Sequence, residues 1–260
     1  MPSYKAKAVI LKSYKLGESD KIIKMYSQQD GIISAVAKGA RKARSKFGGR
    51  LELFNIVDLE ISTGKSLDII TQAEILKSFK NISSDFYKFV FCETISEIVL
   101  KTQQHSGGSS EMLFKLIYVC FNEIDGFNNE DIVSLKKAVC FFVAKSIKII
   151  GYNPLLKNCC KCGMDMKDLY SFRSSNISFS VKFGGILCEK CSEFLEGTVK
   201  LDVSTYRFLC DVFNLKIEDF RDMEVNLQVL KKVRSLMENY ITYHIDCNIK
   251  SFKYLKKIGI

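Results

Sequence analysis

The sequence predicts a multidomain α+β protein. A small β-barrel comes first, an α-helical domain follows, and a cysteine-rich ribbon is inserted into the helical part. Short strand patterns separated by turn residues fill the first eighty residues, whereas apolar residues recur at helical spacing after them. Late in the chain, two Cys-x-x-Cys pairs interrupt the helical pattern, which indicates a separate small module.

The barrel prediction rests on strand-like stretches rich in Val, Ile and Leu, which cover residues 5–14, 20–27, 32–37, 51–62 and 67–75. Asp30-Gly31 and Thr63-Gly64-Lys65-Ser66 separate neighbouring stretches and suit hairpin turns. Five strands in so short a segment fit a closed barrel, which leaves few strand edges exposed. The favoured architecture is the OB-fold, the common five-stranded barrel that binds oligonucleotides, and an SH3-like barrel is the alternative.

Residues 81–158 are expected to form three helices, because apolar residues recur there at steps of three and four. Gly151 should end the third helix, and the expected N-terminal caps are Asn81 or Ser84, then Ser109 or Ser110, and then Asn129. Helical periodicity returns after the cysteine pairs. The predicted domains are therefore a barrel at 1–80, a helical domain at 81–158 that closes at 201–260, and a ribbon at 159–200.

The net charge of +10 is concentrated in the first third of the chain. Residues 1–80 hold 15 basic and 8 acidic side chains, which indicates a module that binds polyanions. Residues 38–50, called the basic loop below, carry six cations and no acid. Phosphate backbones are bound by closely spaced cations, so the sequence predicts that a nucleic acid contacts Lys38, Arg41, Lys42, Arg44, Lys46 and Arg50.

Two further features have open roles. Phe47, in the middle of the basic loop, could stack on an unpaired base or pack into the core. A second cationic group closes the chain with the spacing of an exposed helix face, and whether it touches DNA stays open; it comprises Lys250, Lys253, Lys256 and Lys257.

The metal-binding prediction rests on Cys159-x-x-Cys162-Gly163 and Cys188-x-x-Cys191, which are separated by 25 residues. Two residues between cysteines let both thiolates face one ion, and four thiolates complete the tetrahedral shell of structural zinc. Such a closed shell has no position for substrate, so one structural Zn²⁺ per chain is expected. The alternatives are an iron–sulfur cluster, free thiols, or a register that uses Cys160 with Cys162.

Composition excludes several classes of protein. Hydrophobic residues make up 47% of the chain, which rules out a long disordered protein. No apolar run reaches the roughly 18 residues of a membrane span. The first residues lack the apolar core and cleavage site of a signal peptide, so a cytoplasmic protein with reduced thiols is expected.

Several short motifs match a known pattern. Most lie in the barrel and around the second cysteine pair, with one at the chain end: Leu16-Gly-Glu-Ser-Asp20-Lys21, Gly31, Ala37-Lys38-Gly39-Ala40-Arg41, Ser45, Leu51, Phe54, Ala73-Glu74, Gly184-Gly185, Lys250-Ser251 and Leu255. With the four cysteines, they make the chain resemble the RecO family of bacterial recombination mediators. The helical middle matches only in kind.

The resemblance implies an OB-fold, a helical domain and a zinc ribbon in a protein that is not an enzyme. It implies binding to single- and double-stranded DNA, annealing of complementary strands, and a place among cytoplasmic, nucleoid-associated proteins. It also implies work with RecR to load RecA onto DNA coated with single-strand-binding protein, whose C-terminal tail is contacted. DNA binding is carried over only to the six cations of the basic loop.

Two other classes of function compete with this interpretation. One is an RNA-binding, translation-associated protein that combines a barrel and a ribbon. The other is a zinc-dependent enzyme that modifies nucleic acids. The closed thiolate shell, the two histidines and the lack of a His-x-Glu motif beside a cysteine pair argue against an enzyme.

Overall fold

The computed structural model describes residues 2–103, 110–128, 131–166 and 177–257. The chain forms two compact units. Met1–Ile132 and Ile249–Ile260 make the first, and Val133–Asn248 makes the second. The predicted division into a barrel, a two-part helical domain and a ribbon is finer than this one and stays a prediction.

The first unit begins with a closed five-stranded barrel, which confirms the predicted fold class. Its strands are β1 (Ser3–Leu16), β2 (Asp20–Ser27), β3 (Gly31–Ala37), β4 (Ile56–Ser62) and β5 (Asp68–Lys77). Neighbours pair in the order β1-β2-β3-β5-β4, and β4 closes the barrel onto β1. In the barrel, β3 and β5 pair in parallel, and the other neighbouring strands pair antiparallel. This order is that of the OB-fold and not of an SH3-like barrel.

The fourth strand is shorter than predicted. It begins at Ile56 and not at residue 51, because the backbone of Phe54 takes the left-handed conformation with φ of 71°. The Asn55 side chain then donates to the carbonyl oxygen of Gly49 at 3.0 Å. Residues 51–55 therefore continue the turns of the basic loop instead of extending the strand.

The helices of the described residues are α1 (Lys80–Ser84), α2 (Phe86–Thr102), α3 (Glu111–Gly126), α4 (Ile132–Ile149), α5 (Glu189–Ser192), α6 (Val203–Asn214), α7 (Ile217–Asp222), α8 (Leu227–Ile245) and α9 (Lys250–Lys257). The predicted helical periodicity in the middle and at the end of the chain is thus confirmed. Along the described ranges, no helix combines the length and apolarity that crossing a bilayer needs.

The N-terminal cap of α3 is the predicted one, whereas that of α2 differs from the prediction. Ser110 caps α3 by accepting from Leu113 N–H at 3.3 Å, as predicted. The cap of α2 is Asp85 and not Asn81 or Ser84, because the extended backbone at Asp85 separates α2 from the short α1. Gly151 follows α4 with φ of 88°, which suits its role as a helix stop. Ser109 and Asn129 lie outside the described residues.

The second unit contains a small antiparallel sheet made of β6 (Ile177–Ser180), β7 (Gly185–Leu187) and β8 (Thr198–Leu201). The strand order is β7-β6-β8. The residues of β6 and β7 are all buried, although these strands are only four and three residues long. A sheet thus occupies the segment predicted as a ribbon, and Cys188 directly follows its strand β7.

Candidate metal centre and nucleic-acid interface

The first cysteine pair lies in a tight turn that backbone hydrogen bonds hold in place. Gly163 N–H donates to Cys159 O at 2.9 Å, and Cys159 N–H donates to Met164 O at 2.8 Å. Gly163 has φ of 75°, a conformation that glycine adopts without strain. Cys160 N–H donates to Ile186 O at 2.8 Å, so the turn is fastened to β7.

The second cysteine pair follows β7 directly. Cys188 is the N-cap residue of α5, and Cys191 lies on that short helix, with its N–H donating to Cys188 O at 3.1 Å. One helical turn therefore brings Cys191 back toward Cys188. Because Cys160 is hydrogen-bonded to the same strand, β7 positions both cysteine pairs.

The four sulfur atoms meet in one cluster. The Sγ atoms of Cys159, Cys162, Cys188 and Cys191 all lie within 4.8 Å of one another. Those of Cys162 and Cys188 are 3.8 Å apart. Zinc–sulfur bonds of about 2.3 Å in a regular tetrahedron imply sulfur–sulfur distances of about 3.8 Å. The cluster therefore fits a four-coordinate metal ion, and Cys160 lies outside it.

The pKa values of the clustered thiols indicate that a bound cation stabilises their ionised forms. Burial opposes ionisation of Cys159, but N–H donors from Cys162, Cys188 and Lys161 lower its pKa to about 6. The hydrogen bond with Cys188, together with burial, raises the pKa of Cys191 to about 12. At this spacing, ionisation of one thiol therefore opposes ionisation of its neighbour. A divalent cation removes the repulsion and lets all four thiolates coexist.

Gly185, in β7, leaves no room for a side chain. A Cβ atom there would lie 2.5 Å from Leu155 O and 3.2 Å from the Cβ of Cys160. The close approach lets Leu155 N–H donate to Gly184 O and lets Ile186 N–H donate to Leu155 O, both at 2.9 Å. The Gly-Gly motif before the second cysteine pair therefore permits the chain around the first pair to pack onto the sheet.

The basic loop is anchored at its start by Asp20. Asp20 Oδ1 accepts from Gly39 N–H at 2.8 Å and from the Ser19 hydroxyl at 2.8 Å. Both hydrogen bonds lower the pKa of Asp20, and the bond from Gly39 has the larger effect. Arg41 N–H donates to Ser19 O at 2.9 Å, and the Arg41 guanidinium donates to another carbonyl oxygen of the same turn at 2.9 Å. The loop is thus bound to the β1–β2 turn.

Phe47 anchors the middle of the loop. Its side chain is 2% exposed and belongs to the barrel core together with Leu51. The hypothesis that Phe47 stacks on bases is therefore wrong, because the buried ring has no free face. Lys46 Nζ lies 5.1 Å from the centroid of this ring and donates to Thr71 O at 2.7 Å. The aromatic residue fastens the loop to the barrel.

All six cations of the basic loop are exposed, namely Lys38, Arg41, Lys42, Arg44, Lys46 and Arg50. The contacts of Arg41, Lys46 and Arg50 are to carbonyl oxygens, which do not neutralise their charges. Within the described residues, the side chains of Lys38, Lys42 and Arg44 form no hydrogen bond or ion pair, although both lysines lie close enough to Asp20 for their charges to lower its pKa. The structure therefore presents these cations to solvent on an anchored loop.

The terminal cations lie on α9, as their spacing predicted. The helix buries Phe252 and Leu255 and exposes its lysines, which are Lys250, Lys253, Lys256 and Lys257. Glu97 on α2 binds the start of α9 by accepting from Lys250 N–H at 2.9 Å and Ser251 N–H at 2.8 Å. The chain end is thus part of the first unit.

The sequence reasoning missed the two carboxylates that hold these basic segments. Asp20 lies in the Leu-Gly-Glu-Ser-Asp-Lys motif that resembles the RecO pattern. An acidic residue within the basic first third of the chain was the sequence signal that pointed to it. Glu97 lies 153 residues from Lys250 in sequence, and no local pattern joins them.

Comparison with known proteins agrees with this architecture. The profile described as Recombination protein O N terminal matches residues 1–79, and Recombination protein O C terminal matches residues 83–253. A DNA repair protein RecO from Desulforamulus reducens is 28% identical over 258 residues, which cover 99% of this chain and 96% of that protein.

Two further relatives bear the same name. The protein from Caldanaerobacter subterraneus is 27% identical over 256 residues, covering 98% of each chain. That from Nostoc punctiforme is 34% identical over 186 residues, covering 72% of this chain and 62% of its own. Because the two profiles together extend from the barrel to the last helix, the chain belongs to the RecO family of recombination and DNA repair proteins.

Proposed function

We propose that this protein is a DNA-binding recombination mediator that binds single- and double-stranded DNA and anneals complementary strands. The observation that carries the proposal is the basic loop, with six exposed cations on a backbone anchored to an OB-fold barrel. OB-folds bind oligonucleotides through one face and its loops. The DNA-contacting residues are Lys38, Arg41, Lys42, Arg44, Lys46 and Arg50.

The mechanism needs no chemical step. Lysine and arginine contacts to phosphates bind DNA of any sequence and release condensed counterions. Phosphate contacts leave the base edges of a single strand free to pair. Two strands whose phosphates are partly neutralised repel each other less, so their annealing is favoured. The protein therefore acts by binding and is not an enzyme.

The metal is a structural zinc ion, one per chain, held by Cys159, Cys162, Cys188 and Cys191. The sulfur spacing and the need for charge compensation support a tetrahedral thiolate site. With four protein ligands, such a site has no open coordination position. The ion therefore cross-links the ribbon and takes no part in a reaction.

Family membership supports the remaining parts of the proposal. With RecR, the protein helps load RecA onto single-stranded DNA coated with single-strand-binding protein, and it contacts the C-terminal tail of that protein. It works in the cytoplasm at the nucleoid. Annealing of complementary oligonucleotides coated with single-strand-binding protein, with and without RecR, tests this part directly.

Removal of three loop charges tests the DNA interface. We expect Lys38→Gln, Lys42→Gln and Arg44→Gln in one protein to weaken single-stranded DNA binding. Each lost phosphate contact should flatten the plot of log affinity against log salt by about 0.7. Fluorescence anisotropy with a labelled oligonucleotide over a salt series measures both quantities, and an RNA of equal length tests the rival RNA-binding function.

The matched control is Lys190→Gln, Lys200→Gln and Lys216→Gln, which removes the same charge from exposed sites of the second unit. This control should keep the affinity and salt dependence of the unchanged protein. Equal losses in both triple variants would mean that net charge, and not the loop, governs binding. Stronger binding to RNA than to DNA would favour the RNA-binding alternative.

A further inference from the structure

A group of aromatic rings on the second unit has no role in the metal centre or the basic loop. Tyr240 and His244 lie one turn apart on α8 with ring centroids 4.3 Å apart. The rings of Tyr152 and Tyr243 lie 6.0 Å and 5.1 Å from that of His244. These four residues are called the ring cluster below.

The ring cluster is anchored on its inner side. Tyr240 is 4% exposed and packs edge-on against Phe179 of β6, with 5.9 Å between the centroids. His244 Nε2 lies 2.7 Å from Val181 O. Because a carbonyl oxygen can only accept, Nε2 carries a proton and donates it. The histidine ring is therefore held in one orientation.

The outer side of the ring cluster is exposed. Tyr152 is 45% exposed and Tyr243 is 55% exposed. The β6–β7 turn approaches the same rings, since a Cβ atom on Gly184 would lie 3.5 Å from the Tyr240 hydroxyl. That turn adds Phe183, which is 44% exposed, and Lys182, whose Nζ lies 6.0 Å from the Phe183 ring centroid. Rings and a cation are thus presented together.

We propose that the ring cluster and the adjoining Lys182–Phe183 turn bind unpaired bases of single-stranded DNA. Exposed aromatic faces stack on any base, and a neighbouring lysine can pair with the phosphate beside that base. The His244 ring at the centre of the cluster, which its hydrogen bond to Val181 O holds in place, loses little conformational freedom on binding. This inference rests on the proposed function, because it extends the proposed DNA binding to a second site.

A stacking site has a different signature from a charged loop. Replacement of Tyr152 and Tyr243 by Leu keeps apolar bulk but removes the aromatic faces. We expect each replacement to weaken binding of short oligothymidylate by about 5-fold or more, with an unchanged salt slope. Binding to duplex DNA of equal length should stay the same, because its bases are already stacked and paired.

Two variants make the comparison specific. Tyr152→Phe with Tyr243→Phe keeps both rings and should bind like the unchanged protein. Tyr118→Leu replaces a tyrosine of the first unit that is 41% exposed and should also have no effect. Thermal unfolding of all variants shows whether their folds are intact.

A direct localisation experiment completes the test. Irradiation of the full chain bound to an oligonucleotide with 5-iododeoxyuridine should give cross-links to Tyr152, Phe183, Tyr243 or His244 by mass spectrometry. Cross-links confined to other residues, together with unchanged oligothymidylate affinity in the Leu variants, would overturn this inference and leave the basic-loop proposal standing. If the unchanged protein bound no single-stranded DNA at all, that result would instead contradict the proposed function.

Discussion

At the scale of single residues, the structure assigns aromatic side chains roles that their sequence positions do not show. Phe54 is 1% exposed, has φ of 71°, and contacts the rings of Phe89 and Phe121 edge-on at 5.2 Å and 5.4 Å. A left-handed backbone is unfavourable for a residue with a Cβ atom. Burial of the ring therefore compensates for a strained backbone just after the basic loop.

Glycine and alanine replacements separate these two effects. Both Phe54→Ala and Phe54→Gly should lose about 3–5 kcal/mol of unfolding free energy, because both remove a buried ring. The backbone strain of about 1–2 kcal/mol remains in the alanine variant and disappears in the glycine variant. Urea unfolding should therefore find Phe54→Gly at least as stable as Phe54→Ala.

Phe121 is the control for this comparison. It is buried in the middle of α3, where glycine is normally less stable than alanine by about 1 kcal/mol. Phe121→Gly should thus be less stable than Phe121→Ala. The same order at both positions would show that Phe54 carries no backbone strain.

At the scale of elements, β7 positions the four clustered cysteines, which are Cys159, Cys162, Cys188 and Cys191. Ile186 of this strand accepts from Cys160 N–H in the turn of the first cysteine pair, and the strand leads directly into the second pair. The sequence predicted the four ligands from spacing alone. It left the role of Cys160 open, because Cys160 and Cys159 are adjacent and only the fold shows that Cys160 lies beside Gly185.

Metal content checks the ligand assignment. The purified protein should hold about one zinc ion per chain, and Cys162→Ser or Cys191→Ser should lower this content severalfold, since serine is a poor zinc ligand. Cys160→Ser is the adjacent control and should keep the metal. Inductively coupled plasma mass spectrometry measures the content. Loss of zinc in Cys160→Ser alone would contradict the assignment.

At the scale of the whole molecule, the chain end returns to the unit that contains the chain start. Residues 249–260 belong to the first unit, and Glu97 joins α2 to the start of α9. Burial opposes ionisation of Glu97, but hydrogen bonds from Ser251 and Lys250 outweigh it and lower its pKa. The ionised carboxylate is therefore the form that holds α9.

The stability from this contact should depend on pH. Because the folded-state pKa lies below the ordinary value of 4.5, the contribution is fully present above about pH 4.5 and is lost as pH falls through the folded-state pKa. Unfolding free energies at several pH values should show Glu97→Gln as less stable than the unchanged protein at neutral pH. The difference should shrink in acid.

Glu74→Gln removes an exposed carboxylate of β5 and serves as the control. It should show no comparable loss at neutral pH. A Glu97→Gln deficit that stays constant from neutral to acidic pH would mean that the carboxylate charge does not hold α9.

The sequence by itself determined the local features of this protein: the barrel strands, most helices, the cationic loop and the cysteine spacing. These features follow from side-chain periodicity and short motifs, which act between near neighbours. Only the tertiary structure decided that Phe47 is buried, that Asp20 and Glu97 hold the basic segments, and that tyrosines from α8 and from the segment after α4 meet around His244. Those outcomes depend on contacts between residues far apart in sequence, and such contacts leave no local pattern.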